Sequence, residues 1–200
     1  MLTVLGLAGS HRRGGNTETL LDWCLEAARD EGAEVVKFRL SDLDLHGCRA
    51  CDGCWKDGTC VVRDGMQDLF PHLRSADSIV LAAPTYFMGM PAVPKMMVDR
   101  CQCFWALKYV LKRSLVEPGR PTRFGAYLSC SGTKHPRAFD GAREVVSSLW
   151  HVLEVKSVGE MLIPGVDAKG EIEEQPGALD QAEAVGRRLA GERAQEKEET

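Results

Sequence analysis

Four of the chain's eight cysteines fall within fifteen residues, in the stretch HGCRACDGCWKDGTC at positions 46–60. Cys48, Cys51, Cys54 and Cys60 follow the spacing C-x2-C-x2-C-x5-C. Thiols this close can converge on one inorganic centre, and a tight C-x2-C-x2-C turn delivers three sulfurs to a single [4Fe–4S] cubane. Gly47, Gly53 and Gly58 let the backbone wrap and aim N–H groups at sulfur. The bacterial ferredoxin run starts alike but continues with x3 and a proline, whereas Val61 follows Cys60 here. A structural zinc also takes four cysteines, usually as two separated pairs. A loop of free, redox-sensing thiols is the third option. The other cysteines carry less. Cys101 and Cys103 are two apart in a helical stretch and so point to different faces, while Cys24 and Cys130 read as small core residues. His11 and His135 sit in loops, His46 borders the cysteines, and His72 and His151 fall on helices; none has ligand spacing.

A second chemical signal is GSHRRGGNTETLL at 9–21, directly after an apolar run. It lacks both the G-x-G-x-x-G dinucleotide pattern and a Walker Gly-Lys-Ser/Thr. Ser10, Asn16 and Thr17 supply donors, Arg12 or Arg13 adds charge, and a helix start adds N–H groups, a combination suited to a terminal phosphate. An ordinary helix cap with two solvated arginines is the plain alternative. A third stretch, APTYFMGMP at 83–91, offers Thr85, Tyr86, Phe87 and Met88 as a flat, partly apolar wall for a planar heterocycle, with Gly89 allowing close backbone approach. SCSGTKHP at 129–136 would close the other side with small residues. No residue pair stands out as acid, base or nucleophile, so no catalytic side chain is expected.

These loops need a frame that brings them together. Apolar runs at 2–9, 34–40, 77–84, 123–132 and 157–163 read as strands, several buried on both faces. Helical patterns alternate with them at 17–31, after Asp64 as a cap, at 92–114, around Ala142 to Val152, and at 176–190; residues 164–175 read as a polar connection. Strands alternating with helices predict a doubly wound α/β fold with a five-stranded parallel sheet. In the order 2-1-3-4-5, strands one and three meet where strand order reverses, so their loops face one crevice. Residues 1–190 read as one domain with a cysteine-rich insertion at about 46–63, and 191–200 as a charged tail.

The chain has 200 residues and a net charge of −4, and nothing in it points to nucleic acid. No apolar run approaches the ~18 residues of a membrane span. The N-terminus lacks a basic region and a cleavage site, so a cytoplasmic location is expected, where thiols stay reduced. The stretch 92–114 is apolar around more than one face, which predicts a subunit interface.

Together, GSHRRGGNT and PTYFMGMPAVPKMMVDR resemble the two main motifs of the flavodoxin-like NAD(P)H-dependent FMN reductase superfamily. The resemblance covers about residues 1–165 and implies FMN. Ser10, Arg12, Asn16 and Thr17 would surround its phosphate. Pro84, Thr85, Tyr86, Phe87, Met88 and Gly89 would lie along the isoalloxazine, with Ser131 and Gly132 nearby. Within that superfamily the compact cysteine motif is similar to that of the iron–sulfur flavoproteins, which implies a [4Fe–4S] cluster on Cys48, Cys51, Cys54 and Cys60. The implied activity is that of an FMN oxidoreductase or electron-transfer flavoprotein drawing on NAD(P)H or ferredoxin, in a homodimer or homotetramer. A metal-free quinone or flavin reductase and a redox-sensing binding protein are the rivals.

Overall fold

A computed structural model describes residues 1–198. Five strands, β1 (Thr3–Ala8), β2 (Glu34–Arg39), β3 (Ser78–Ala82), β4 (Arg123–Ser131) and β5 (Val155–Pro164), form one sheet in the order β2-β1-β3-β4-β5. All four pairings are parallel. The expected flavodoxin-like topology is the observed one.

Alternation along the central strands builds two cores. Leu5, Leu7, Ile79, Leu81 and Tyr127 face one side, where α2 (Met66–Ser75), α3 (Ala92–Arg100), α4 (Gln102–Tyr109) and α5 (Asp140–Leu153) cover them. Val4, Ala8, Val80, Ala82, Ala126 and Leu128 face the other, under α1 (Asn16–Asp30) and α6 (Ala178–Glu198). At β5 the register slips, with Ser157 opposite Gly125 but Gly159 opposite Ala126. The extra residue, Val158, is buried in the second core; the strand is longer than its apolar run because the bulge interrupts the alternation.

Arg123, at the start of β4, is almost wholly buried and holds the base of the sheet together. Its guanidinium donates to the carbonyls of Leu73, Ala76 and Leu153 at 2.6, 2.8 and 2.7 Å, the terminal turns of α2 and α5. Burying a cation is costly unless it is hydrogen-bonded, and three helix-end carbonyls meet that need.

Three expectations change. The single helix expected over 92–114 is two helices that break at Cys101 and end at Tyr109. The break turns Cys103, Phe104 and Leu107 under the cysteine loop, so most of the apolar excess is buried within the chain. Trp105 and Tyr109 stay partly exposed, their rings 5.3 Å apart. The last helix runs past residue 190 to Glu198, because Ala, Glu, Gln, Lys and Arg after Gly191 favour helix. The final two residues of the expected charged tail lie outside the described residues. Finally, 164–175 is more than a connection, for it carries a short 3-10 turn at Glu171–Glu174 with Ile172 in the core.

Candidate functional site

The carboxyl ends of β1, β3 and β4 open onto a crevice of about 90 Å³. Ser10, Arg12, Gly15, Asn16 and Thr17 line it from the first loop, Pro84, Thr85 and Tyr86 from the third strand's loop, and Cys130 and Gly132 from the fourth. Val166 and Asp167 close it. Eight of the twelve residues expected around a flavin therefore share one cleft. Ser131 lies just beneath it, its carbonyl accepting the Val166 N–H at 2.9 Å.

Helix α1 begins at this cleft with Gly15 as its cap and no side-chain cap bond. The first-turn N–H groups of a helix have no partner within the helix and favour an anion. Thr17 is 3% exposed, and its hydroxyl makes no hydrogen bond among the described residues. Ser10 Oγ accepts the Arg12 N–H at 3.1 Å, which shapes the loop. Close approach is built in, since a Cβ on Gly9 would lie 2.9 Å from the Ala83 Cβ, and one on Gly132 would lie 3.0 Å from the Asp167 Cβ. An uncapped helix start in a tight cleft of small residues fits a phosphate-bearing cofactor.

Two side chains expected around the phosphate are also used to build the wall. Arg12 Nη1 donates to the Asp167 carbonyl at 2.7 Å. Asn16 Nδ2 donates to the Ala168 carbonyl at 2.8 Å, and its Oδ1 accepts the N–H groups of Gly170 and Ile172 at 3.0 and 3.4 Å. Residues 166–172 are thus tied to the first loop across 150 residues of sequence. Beneath them, buried Glu18 pairs with Arg39 and Lys37 and accepts the Gly14 N–H. Burial alone would raise its carboxyl, but these partners hold it at about 2.

Phe87, Met88 and Gly89 stand outside the cleft lining. Tyr86 and Gly89 exchange both backbone hydrogen bonds at 3.0 Å, making a two-residue turn with Phe87 and Met88 at its tip. Both have positive φ, 48° and 63°, while Gly89 does not. A turn of this hand needs positive φ at both central positions, so the strain falls on two bulky residues instead of on the glycine. Phe87 is fully exposed.

The four loop cysteines line a single small pocket together with Arg100, Gln102 and Cys103. All are free thiols. Among the described residues, no three His, Cys, Asp or Glu side chains stand in metal-holding geometry. The donor set, four thiols around one pocket, nevertheless has the chemistry of a sulfur-ligated cluster. Cys54 Sγ reaches the Gln102 carbonyl at 3.9 Å, and burial pushes its thiol up. Cys103 comes beside the loop through the break at Cys101, and burial pushes it up to about 12. Cys24 and Cys130 are buried core thiols as expected, likewise pushed up to about 12 by burial. Asp64, expected as the cap of α2, lies one residue before the actual cap, Gly65, from where its carboxylate accepts the Met66 N–H at 3.0 Å.

Arg100 and the 166–172 segment were not singled out from sequence. Arg100 ends a helical stretch that also carries Lys95 and Asp99, so its charge alone did not mark it as buried. Nothing local marks the segment, because its partners are distant in the chain.

A five-stranded doubly wound sheet with its cleft at the β1/β3 switch point defines a flavodoxin-like protein. The chain belongs to the NADPH-dependent FMN reductase family, whose model matches residues 2–159. It is 30% identical over 169 residues to an iron–sulfur flavoprotein of Archaeoglobus fulgidus, covering 82% of this chain and 71% of that protein. Against an iron–sulfur flavoprotein of Methanosarcina thermophila it is 31% identical over 134 residues, 67% of this chain and 65% of the relative. A Methanocaldococcus jannaschii relative is matched at 36% over half of each chain, 50% of this one and 51% of that one. The chain thus spans about half to two thirds of the length of several curated relatives. Among solved structures, RosB with a bound flavin-phosphate intermediate superposes at TM-score 0.75 with 18% identity, over all of this chain and 81% of that one. An NAD(P)H:quinone oxidoreductase of Methanothermobacter marburgensis does so at 0.66 with 16% identity, over 94% and 98%. No helix among the described residues is long and apolar enough to cross a membrane.

Proposed function

We propose that this chain is an FMN-dependent oxidoreductase that passes electrons between NAD(P)H or ferredoxin and an acceptor, with a [4Fe–4S] cluster in the cysteine loop. The observation that carries the flavin is the uncapped start of α1 facing Thr85 and Tyr86 across the switch-point cleft. Ser10, Arg12, Asn16 and Thr17 would bind the phosphate. Pro84, Thr85, Tyr86, Phe87, Met88 and Gly89 would flank the ring system, with Ser131 and Gly132 behind it. Bound FMN supplies the redox chemistry, accepting two electrons and releasing them singly or in pairs. The side chains bind and orient it, and none is assigned an acid, base or nucleophilic role.

Cys48, Cys51, Cys54 and Cys60 would hold the cluster, a reading supported by their shared pocket and by relatives named iron–sulfur flavoproteins. Residues 1–190 would form one domain with the loop as an insertion, in a dimer or tetramer. The rival reading, a metal-free NAD(P)H-dependent quinone or flavin reductase, is supported by the match to the NADPH-dependent FMN reductase family. Purification without oxygen, followed by flavin, iron and sulfide analysis, tests both. FMN with about four iron and four sulfide per chain is expected. Native FAD would overturn the flavin assignment, one zinc per chain the cluster, and yellow protein that stays metal-free after iron–sulfide reconstitution would leave the rival.

A further inference from the structure

Arg100 is 1% exposed and ends α3, the nine-residue helix that begins just after the Tyr86–Gly89 turn. Its guanidinium fork is spent on the cysteine loop. Nη1 donates to the His46 carbonyl at 2.8 Å and to the Asp64 carboxylate, and Nη2 donates to the Val62 carbonyl at 3.0 Å. Nε donates to Cys60 Sγ at 3.3 Å. Asp64 in turn accepts the His46 N–H at 2.9 Å. His46 lies two residues before the first cysteine of the motif and Val62 two residues after the last. One buried side chain therefore ties both ends of the loop together and touches one of its four sulfurs.

Two further bonds assist at the base of the loop, the Gly65 N–H donating to the Asp44 carbonyl at 2.8 Å and Gln67 Nε2 to the Val62 carbonyl at 2.9 Å, while between its ends the loop is less well held. Its long-range hydrogen bond there is the weak one from Cys54 Sγ to the Gln102 carbonyl, while Cys48 and Cys51 are exposed. A guanidinium suits this task because its donors form a planar, rigid fork able to serve several acceptors at once. A lysine ammonium would keep the charge opposite Asp64 but could not span two carbonyls and a sulfur.

We propose that Arg100 is the positioning residue of the cysteine loop, closing residues 46–62 into a ring and directing an N–H at the Cys60 sulfur. The proposal rests on the cluster reading only for what that N–H does. A hydrogen bond to a ligand sulfur stabilises the reduced, more negative state and raises the potential. The other end of α3 lies about 14 Å away, at the rise of an α-helix, and adjoins the proposed ring-binding loop. The clamp and that loop thus share one rigid element.

Arg100→Lys tests the clamp in two arms. In metal-free protein, amide exchange across 44–64 should accelerate about tenfold or more as the fork is lost, while β1 and β4 stay protected. After anaerobic reconstitution, the cluster's midpoint potential should shift to a more negative value than in the unmodified protein, and occupancy should fall. Unchanged exchange across 44–64 overturns the clamp. An unchanged potential in loaded protein overturns the role at Cys60. If the unmodified protein takes up no iron or sulfide, the cluster reading fails, and the exchange arm still decides the clamp. Should Arg100→Lys not fold, Arg100→Gln combined with Asp64→Asn removes both buried charges together and is read in the same two arms.

Discussion

Replacing Asn16 by alanine removes a side chain that the sequence placed beside a phosphate and that the fold also uses as a fastener. Three hydrogen bonds go with it, to the Ala168 carbonyl and from the Gly170 and Ile172 amides. Each such bond contributes about 0.5–1.5 kcal/mol net. The Ile172 bond is buried, whereas the groups at Ala168 and Gly170 can be rewetted, so the loss should be near 2 kcal/mol. For a chain of this size that is about 1 M in urea midpoint or 4–8 °C in melting temperature. It should be measurable with no flavin bound. Detachment of 166–172 also removes Val166 and Asp167 from the cleft wall and the acceptor that fixes Arg12. FMN affinity should therefore fall a further ~10- to 100-fold, read by quenching of flavin fluorescence. Thr17→Val is the control, because its hydroxyl bonds nothing among the described residues; it should weaken FMN and leave the urea midpoint alone. An Asn16→Ala protein with an unchanged midpoint in the absence of flavin would refute the fastening role.

Acid should act through Glu18, whose carboxyl is held at about 2 against an ordinary 4.5. Its contribution, no more than about 3 kcal/mol, is complete above pH 4.5 and is lost as pH falls from there through 2, so the midpoint gap between wild type and Glu18→Gln should narrow from pH 7 to pH 3. Arg123→Met strands the Leu73 and Leu153 carbonyls, while that of Ala76 keeps Arg120 Nη2 at 3.0 Å, and should destabilise by about 2–4 kcal/mol in urea titrations, with flavin stoichiometry unchanged in the folded fraction. Gly141→Ala places a Cβ 2.8 Å from the Met88 carbonyl; it should displace the strained turn and weaken FMN about tenfold while costing less than about 1.5 kcal/mol of stability. At pH 8 a thiol reagent should reach the loop cysteines in native protein but not Cys24, Cys101, Cys103 or Cys130, which burial pushes up to about 12 or, for Cys101, well above its ordinary value. Those four favour folding most below pH 9 and progressively less as pH rises toward 12, so urea midpoints should fall over that window.

Strand order and the switch-point cleft were legible because both follow from local patterns. Apolar runs such as SIVLA mark strands buried on both faces, and a parallel sheet leaves few ways to connect them. The features that escaped depend on distance or on backbone shape. Nothing near Asn16 announces that Ala168 will meet it. The break at Cys101 has no glycine or proline to mark it, and it turns much of the apolar surplus around it inward beneath the cysteine loop. At the Phe87–Met88 tip, glycine was the obvious residue for an unusual backbone, yet the positive φ angles fall on its two neighbours. Cysteine spacing identified the loop but could not show which residue fastens it.

The cleft draws on residues 10–17, 84–86, 130–132 and 166–167, which the sheet gathers from almost the whole chain. No strand pairs with its neighbour until at least 31 residues have been closed into a loop, as for Thr3 with Glu34, and joining β1 to β3 closes 74, from Val4 to Ser78. Chains dominated by such distant pairings fold slowly, because closure entropy is lost before contacts compensate it. The phosphate end needs β1, β3 and β4 in register and the 166–172 segment docked, so half a sheet offers no flavin a place to sit. On the proposed flavin reading, FMN would find its complete cleft only after residues 166–172 have docked on the first loop, so a nascent chain would bind no flavin until then.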